Sequence, residues 1–173
     1  MNFINYENYK TKLKYGLLNK FSYQNIDDIP KLEKINLSLN VTSSDFYTLL
    51  SSLIALELLT NQKGFLIRSK TFNLVSKIRK GDPVGSKVTL RKEQALKFIL
   101  KLIKIKPVVK KCNGGHFSFL IKNLMVFKEI ESNYHFFRRL NSLNIVVNTT
   151  CITREELVFL IRFYNIKVSI LQK

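Results

Sequence analysis

Tryptophan is absent from this 173-residue sequence, and acidic residues (12), glycine (6), proline (3) and cysteine (2) are all scarce. Each shortage excludes something. Two cysteines, Cys112 and Cys151, are too few for a disulfide framework and read as free thiols. No apolar run is long enough for a membrane span, because Phe46 to Leu59 is short and is broken by Thr48, Ser51, Ser52 and Glu57. The first residues, Met1 to Glu7, lack both the apolar core of a secretory signal and the Arg/Ser-rich, acid-poor look of a transit peptide, so a protein acting in an organelle would be made there. What is abundant is 46% hydrophobic and 12% aromatic residues, enough for a proper core. We expect one domain over 1–173, with an N-terminal helix in 1–21 and an α+β core in 22–173.

The shortage of acid leaves 29 Lys plus Arg nearly unopposed, a formal net charge of +17. The excess is local. Residues 1–60 contribute 0, residues 61–128 contribute +15 and residues 129–173 contribute +2. A fold that repels itself this strongly over one segment is best suited to a polyanionic partner, with nucleic acid first. The preference for lysine and asparagine also carries the flavour of a gene under A+T pressure, as in organelles and reduced genomes.

At the centre of the basic segment, two of the six glycines and one of the three prolines fall together in Ser76 to Arg91. Ile78 on one side and Val88 and Leu90 on the other predict two strands around a cationic loop, with Gly81 and Gly85 freeing the backbone and Pro83 stiffening the tip. Lys77, Arg79, Lys80, Lys87 and Arg91 crowd its base.

Elsewhere, Tyr6, Tyr9, Leu13 and Leu17 predict an N-terminal helix, and Ile35, Leu37, Leu39 and Val41 alternate with Asn36, Ser38 and Asn40 as a strand with a hydrogen-bonding outer face. Thr42 to Ser44 offer N-caps for a helix whose inward stripe would be Phe46, Leu49, Leu50, Leu53, Ile54 and Leu58. A strand at Phe65 to Ile67 follows. In the helix Lys92 to Ile105, Ala95, Ile99, Leu102 and Ile103 face inward, and Lys97, Lys101 and Lys104 form an outer stripe without acidic partners. Phe117, Phe119 and Ile121 read as core strand residues, Ile145 and Val147 as a further strand, and 133–144 as a loop or helix. Thr153 and Glu156 form a capping box for a last helix bearing Leu157, Leu160, Ile161 and Tyr164. This order fits an α+β fold, a mostly antiparallel sheet with helices packed on one face and a protruding basic loop.

Catalytic and cofactor chemistry finds no support. Gly81 to Lys87 has three residues between its glycines and the order Ser86-Lys87-Val88, which is not a phosphate loop. Cys112, His116, His135 and Cys151 match no metal-ligand spacing. Asp27-Asp28 and Glu155-Glu156 point apart and suit a turn and a helix start. We expect no enzyme, no metal and no cofactor.

The motif Lys77-Ile78-Arg79-Lys80-Gly81-Asp82-Pro83-Val84-Gly85-Ser86-Lys87-Val88-Thr89-Leu90-Arg91 is similar to Lys-Ile-Arg-x-Gly-x-Pro-Ile-Gly-x-Lys-Val-Thr-Leu-Arg of universal large-subunit ribosomal protein five. Ile29 to Leu37 resembles that family's Pro-x-x-x-Lys-Ile-x-Leu-Asn region, Gln62-Lys63 its Gly-Gln-Lys-Pro turn, and Phe117-Ser118 with Val126 to Ile130 its Tyr-Ser and Ile-Phe-Pro-Glu-Ile. The chain departs from the pattern where the turn reads Asn61-Gln62-Lys63-Gly64 and where a Gly-rich segment has shrunk to Asn113 to Ser118.

The resemblance implies a structural constituent of the large ribosomal subunit that binds 5S rRNA, where retained, and adjacent large-subunit rRNA in the central protuberance. Asn36, Gln62, Lys63, Lys87, Thr89 and Arg91 would be the rRNA contacts. Lys77, Arg79, Lys80, Gly81, Asp82, Pro83, Val84 and Gly85 would form a loop facing P-site tRNA. Neighbouring ribosomal proteins, including a small-subunit head protein across the subunit interface, would be further partners. The A+T flavour suggests an organelle-encoded protein of the mitochondrial matrix, with plastid or bacterial cytoplasm as alternatives. The competing functional reading is a free-standing basic RNA-binding accessory protein of an organelle. A membrane-surface protein using the Lys97, Lys101, Lys104 face is a third.

Overall fold

Fifteen segments of helix and strand make up this computed structural model, which describes the chain except residues 1–3, 42–44, 73, 75–77, 106, 165 and 169–173. Side chains are described outside residues 4–10, 110, 111, 113, 167 and 168 as well. In order, the elements are α1 (Ile4–Lys20), β1 (Leu32–Asn40), α2 (Phe46–Thr60), β2 (Phe65–Arg68), β3 (Pro83–Arg91), α3 (Lys92–Ile105), β4 (Val108–Asn113), β5 (His116–Ile121), α4 (Lys128–Glu131), α5 (Tyr134–Phe137), β6 (Leu143–Thr149), α6 (Arg154–Phe163) and β7 (Lys167–Val168). Two short 3-10 turns, Ile26–Asp28 and Leu124–Val126, complete the set.

The strands join in the order β2-β3-β1-β6-β5-β4-β7. Six are antiparallel, and the two-residue β7 lies parallel to β4. The fold is α+β, as the order of periodicities indicates. Along β1, Ile35, Leu37 and Leu39 are buried while Asn36 and Ser38 are half-buried, and along β6 Leu143, Ile145, Val147 and Thr149 are buried with half-buried residues between them. Alternation of this kind seals one face of a strand and leaves the other partly open.

The chain divides into two compact units. The first comprises residues 1–35, 91–119 and 146–173. Its helices α1 and α6 pack together, with Gly16 against the Phe159 ring. Leu17, Ile99, Leu102, Leu157, Leu160 and Ile161 form its core with Phe117 and Phe119, whose rings meet edge to face at 5.3 Å. The capping box is present: the Thr153 hydroxyl accepts the Glu156 N–H at 3.3 Å, and Glu156 Oε2 accepts the N–H groups of Thr153 and Ile152, each at 3.2 Å.

In the same unit the Tyr23 hydroxyl is buried close to Glu156, and burial first, then the Glu156 charge, raises its pKa above the usual tyrosine range. The fold therefore holds Tyr23 neutral. That contribution to stability is full below about pH 10, the ordinary tyrosine value, and is lost progressively as pH rises from there through the raised folded value. Urea midpoints at about pH 9 and about pH 11 should fall more for the native chain than for Tyr23→Phe; parallel falls would remove Tyr23 as the cause.

The second unit comprises residues 36–90 and 120–145, with α2, α4 and α5 packed on one another. Leu37, Leu39, Leu56, Leu59, Leu90, Ile130, Leu143 and Ile145 fill its core.

Four expectations need correction. In α2 the buried residues are Thr48, Leu49, Ser51, Ser52, Ala55, Leu56, Leu59 and Thr60, whereas Phe46, Leu50, Ile54 and Leu58 of the expected inward stripe are exposed. Apolar residues run almost all round this helix, so periodicity does not choose a face. In α3, Phe98 takes the inward place given to Ile103, which is half-buried. Lys97 has an acidic neighbour after all, Glu93 at 3.9 Å one turn earlier. Finally, β4 was not expected; it pairs with β5 through a Gly114-Gly115 turn that Asn113 and His116 close. The N-caps proposed at Thr42 to Ser44 lie outside the described residues, and Asp45 occupies the cap position.

Candidate nucleic-acid interface

The site is built on β3, whose antiparallel partner is β2, with Phe65 opposite Lys87, Leu66 opposite Ser86, Ile67 opposite Gly85 and Arg68 opposite Pro83. This corrects the hairpin expected within Ser76 to Arg91. Pro83, Val84 and Gly85 are the start of β3, not a loop tip, and Ile78 makes only an isolated bridge. The connection between the paired strands is therefore residues 69–82. Proline at the first position of a strand gives up an N–H that the ladder can spare.

Bonds across its base hold the connection. Ser69 N–H donates to Asp82 O at 2.8 Å, Gly81 N–H to Ser69 O at 3.0 Å, and Asp82 N–H to Arg79 O at 3.2 Å. The Asp82 carboxylate accepts the Arg79 N–H at 2.8 Å, so this acid serves the turn itself. Gly81 has φ +97, a conformation that disfavours side chains, with open space around it. Gly85 serves a different purpose: a Cβ there would sit 2.3 Å from the Leu39 carbonyl oxygen. It is a glycine for close approach of two strands, not for torsional freedom. Arg79, Lys80 and Gly81 are exposed, as are Phe72 and Leu74 further out; Lys77 lies outside the described residues.

Two candidate contacts meet directly. The Thr89 hydroxyl of β3 donates to Asn36 Oδ1 of β1 at 3.0 Å, on the half-open face. This leaves the Asn36 amide with two N–H donors and the Thr89 oxygen with lone pairs, a mixed donor and acceptor group. Lys87, two residues earlier on the same side of β3, is exposed beside it. Gln62 and Lys63 occupy the turn from α2 into β2, where the Gln62 N–H donates to Thr60 Oγ1 at 3.3 Å and Gly64 lies against Leu53 and Val88. Asn61 ends α2 in the left-handed conformation, φ 53, its N–H on Glu57 O at 2.7 Å. Arg91 is exposed at the end of β3.

Sequence reasoning passed over Asn144 on β6 and Phe65 on β2. Asn144 is half-buried between buried Leu143 and Ile145, so it falls on the less buried side of its strand, and the only available signal was its place between two apolar neighbours. Phe65 is 68% exposed directly across from Lys87. Among the described residues the ion pairs are Lys31–Asp27, Lys34–Glu33 and Lys97–Glu93, and none involves the loop or β3. Arg79, Lys80, Lys87 and Arg91 thus take part in none of these ion pairs, and Lys87 stands beside an amide and hydroxyl group suited to RNA. Both cysteines are free, and burial pushes each thiol above its ordinary pKa.

A scan against protein-family models finds no match. Individual proteins do match along nearly the whole length. The chain is 35% identical over 175 residues to large ribosomal subunit protein uL5m of Reclinomonas americana, covering 94% of this chain and 96% of that protein. It is also 33% identical to uL5 of Malacoplasma penetrans over 91% of this chain and 89% of that one, and 35% identical to uL5 of Clostridium beijerinckii over 91% and 93%. The chain belongs to the uL5 family. As a uL5 protein it has a structural, non-enzymatic role in the large ribosomal subunit, with rRNA and ribosomal proteins as its partners. Its relatives include a mitochondrial member. In this uL5 chain the left-handed turn position before Gln62 is occupied by asparagine, one of the few residues besides glycine that adopts it readily.

Proposed function

We propose that this uL5 protein binds 5S rRNA and adjacent large-subunit rRNA in the central protuberance through Asn36, Gln62, Lys63, Lys87, Thr89 and Arg91. Its 69–82 loop, with Lys77, Arg79, Lys80, Gly81 and Asp82 leading into Pro83 to Gly85, faces P-site tRNA. The observation that carries the reading is the Thr89–Asn36 pair, 3.0 Å apart, with Lys87 on the same strand. An amide and a hydroxyl locked to each other are already oriented, so little rotamer freedom remains to be lost when they meet a 2'-hydroxyl or a minor-groove base edge. The same reading places the protein in the mitochondrial ribosome of the matrix, next to other ribosomal proteins including one of the small-subunit head.

Sedimentation of the tagged protein should put it in the large-subunit peak. Recovery only in light ribonucleoprotein fractions would favour a free-standing accessory protein. For the site itself, Asn36→Ala should weaken 5S rRNA binding about tenfold, the worth of roughly one hydrogen bond to RNA. Its urea midpoint should stay close to that of the native chain, since the open face is the side affected. Filter binding on Asn36→Ala, Thr89→Val and the double variant should show non-additive losses; undiminished affinity in all three would sink the role.

A further inference from the structure

Helix α2 is apolar on its outer side as well as its buried one, where Leu49, Ala55, Leu56 and Leu59 lie. Its buried side carries Thr48, Ser51, Ser52 and Thr60, whose hydroxyls donate to the carbonyls of Asp45, Tyr47, Leu49 and Leu56 at 2.7–2.8 Å, which satisfies them without any outside partner. Its outer side carries Phe46, Leu50, Ile54 and Leu58, which are 79%, 44%, 43% and 38% exposed. These four follow one another at intervals of four residues, the spacing of a continuous ridge about 18 Å long on a helix surface. A helix that is apolar on every side is normally enclosed on every side.

What encloses this one is indicated by charge. Near the N-terminal end of the ridge, Tyr47 of α2 lines a cavity of about 390 Å³ together with His135, Phe136, Arg138 and Arg139. No acidic residue lines it, and none of the ion pairs among the described residues involves either arginine. A second copy of this chain would bring the same arginines and a net charge of +17 against themselves. A bilayer surface calls for lysines and arginines along the apolar stripe, but Arg138 and Arg139 stand at one end of it and Glu57 is the only charged residue in α2 itself. Beyond Phe46 the ridge is aliphatic, and Leu50, Ile54 and Leu58 offer RNA neither donors nor stacking planes.

We propose that the outer face of α2 is a docking surface for an amphipathic helix of a partner protein, with its apolar stripe on Phe46, Leu50, Ile54 and Leu58 and a carboxylate in the cavity of Arg138 and Arg139. No residue of the ridge or the arginine cavity is among the candidate rRNA contacts, so the two roles are independently testable. The probe is a synthetic 18-residue helical peptide with a leucine stripe and glutamates at one end, titrated onto the full chain by fluorescence anisotropy. Micromolar binding is expected, at least tenfold weaker for Leu50→Asp with Ile54→Asp and severalfold weaker for Arg138→Gln with Arg139→Gln, while rRNA affinity in the Leu50/Ile54 variant is unchanged. Because the ridge residues are exposed, urea midpoints should show both variants folded; Leu50→Ser with Ile54→Ser serves in their place if the aspartates unfold the chain. Equal binding of the same peptide with lysines for glutamates, loss of binding in neither pair, ridge-dependent flotation with anionic phosphatidylglycerol vesicles, or ridge-dependent dimerisation in sedimentation would each overturn the proposal.

Discussion

Gly85→Ala is expected to destabilise the protein by about 3 kcal/mol, near the upper end of what overpacking does in a well-packed structure. The added Cβ would meet the Leu39 carbonyl oxygen at 2.3 Å and Asn40 Cα at 3.2 Å, both backbone atoms of a neighbouring strand, so no side chain can swing aside to make room. Relief requires β3 to move off β1, which would weaken the Val41 N–H to Val84 O bond and the core contacts of Val88 and Leu90. Gly81→Ala is the matched comparison. There the difficulty is torsional alone, φ +97 with nothing within 4 Å, and the loss should be about 1–2 kcal/mol. Urea titration would show the midpoint falling further for Gly85→Ala at an unchanged slope. Comparable losses at the two positions would mean that β3 and β1 are not in close backbone contact at Leu39.

Replacing Lys77, Arg79, Lys80 and Lys87 together by alanine should reduce the salt dependence of rRNA binding, lowering the slope of log affinity against log salt by about 3. At about 0.1 M salt that corresponds to roughly a thousandfold loss of affinity, narrowing as salt rises. The expected size follows from the absence of ion pairs to the described members of this group, since cations free of internal partners are available to phosphates at little cost in rearrangement. Filter binding between about 0.05 and 0.5 M salt measures the slope directly. An unaltered slope would take the loop and Lys87 out of the interface, while a vertical shift at constant slope would point to a distorted fold.

Much of this was legible in the residues. The period of two through Ile35, Leu37 and Leu39, the apolar spacing of α3 and the Thr153/Glu156 box each depend on neighbours close in sequence, and each appears as a formed element. The charge contrast between 61–128 and the rest marked β3 and its loop before any geometry did. Long-range choices were not legible. Nothing local says that β3 pairs with Phe65–Arg68 rather than with the residues just before it. For α2, small hydroxyl residues can be buried because they bond back to their own helix, so hydropathy alone selects the wrong face. Strand β4 escaped because Lys110 and Lys111 interrupt its apolar positions after Val108 and Val109.

The left-handed turn at Asn61, φ 53, has a consequence for codon usage. Glycine is encoded by GGN, and a genome losing G and C can leave it by way of GAY to AAY, that is, through aspartate to asparagine. Both tolerate positive φ better than other side chains, so a glycine needed only for its torsion has a passable exit. Gly85 has none, since the constraint there is the space beside Leu39 and every codon that adds a carbon violates it. Glycines that work by torsion are thus open to erosion in an A+T-rich lineage, whereas one that works by proximity has to be retained.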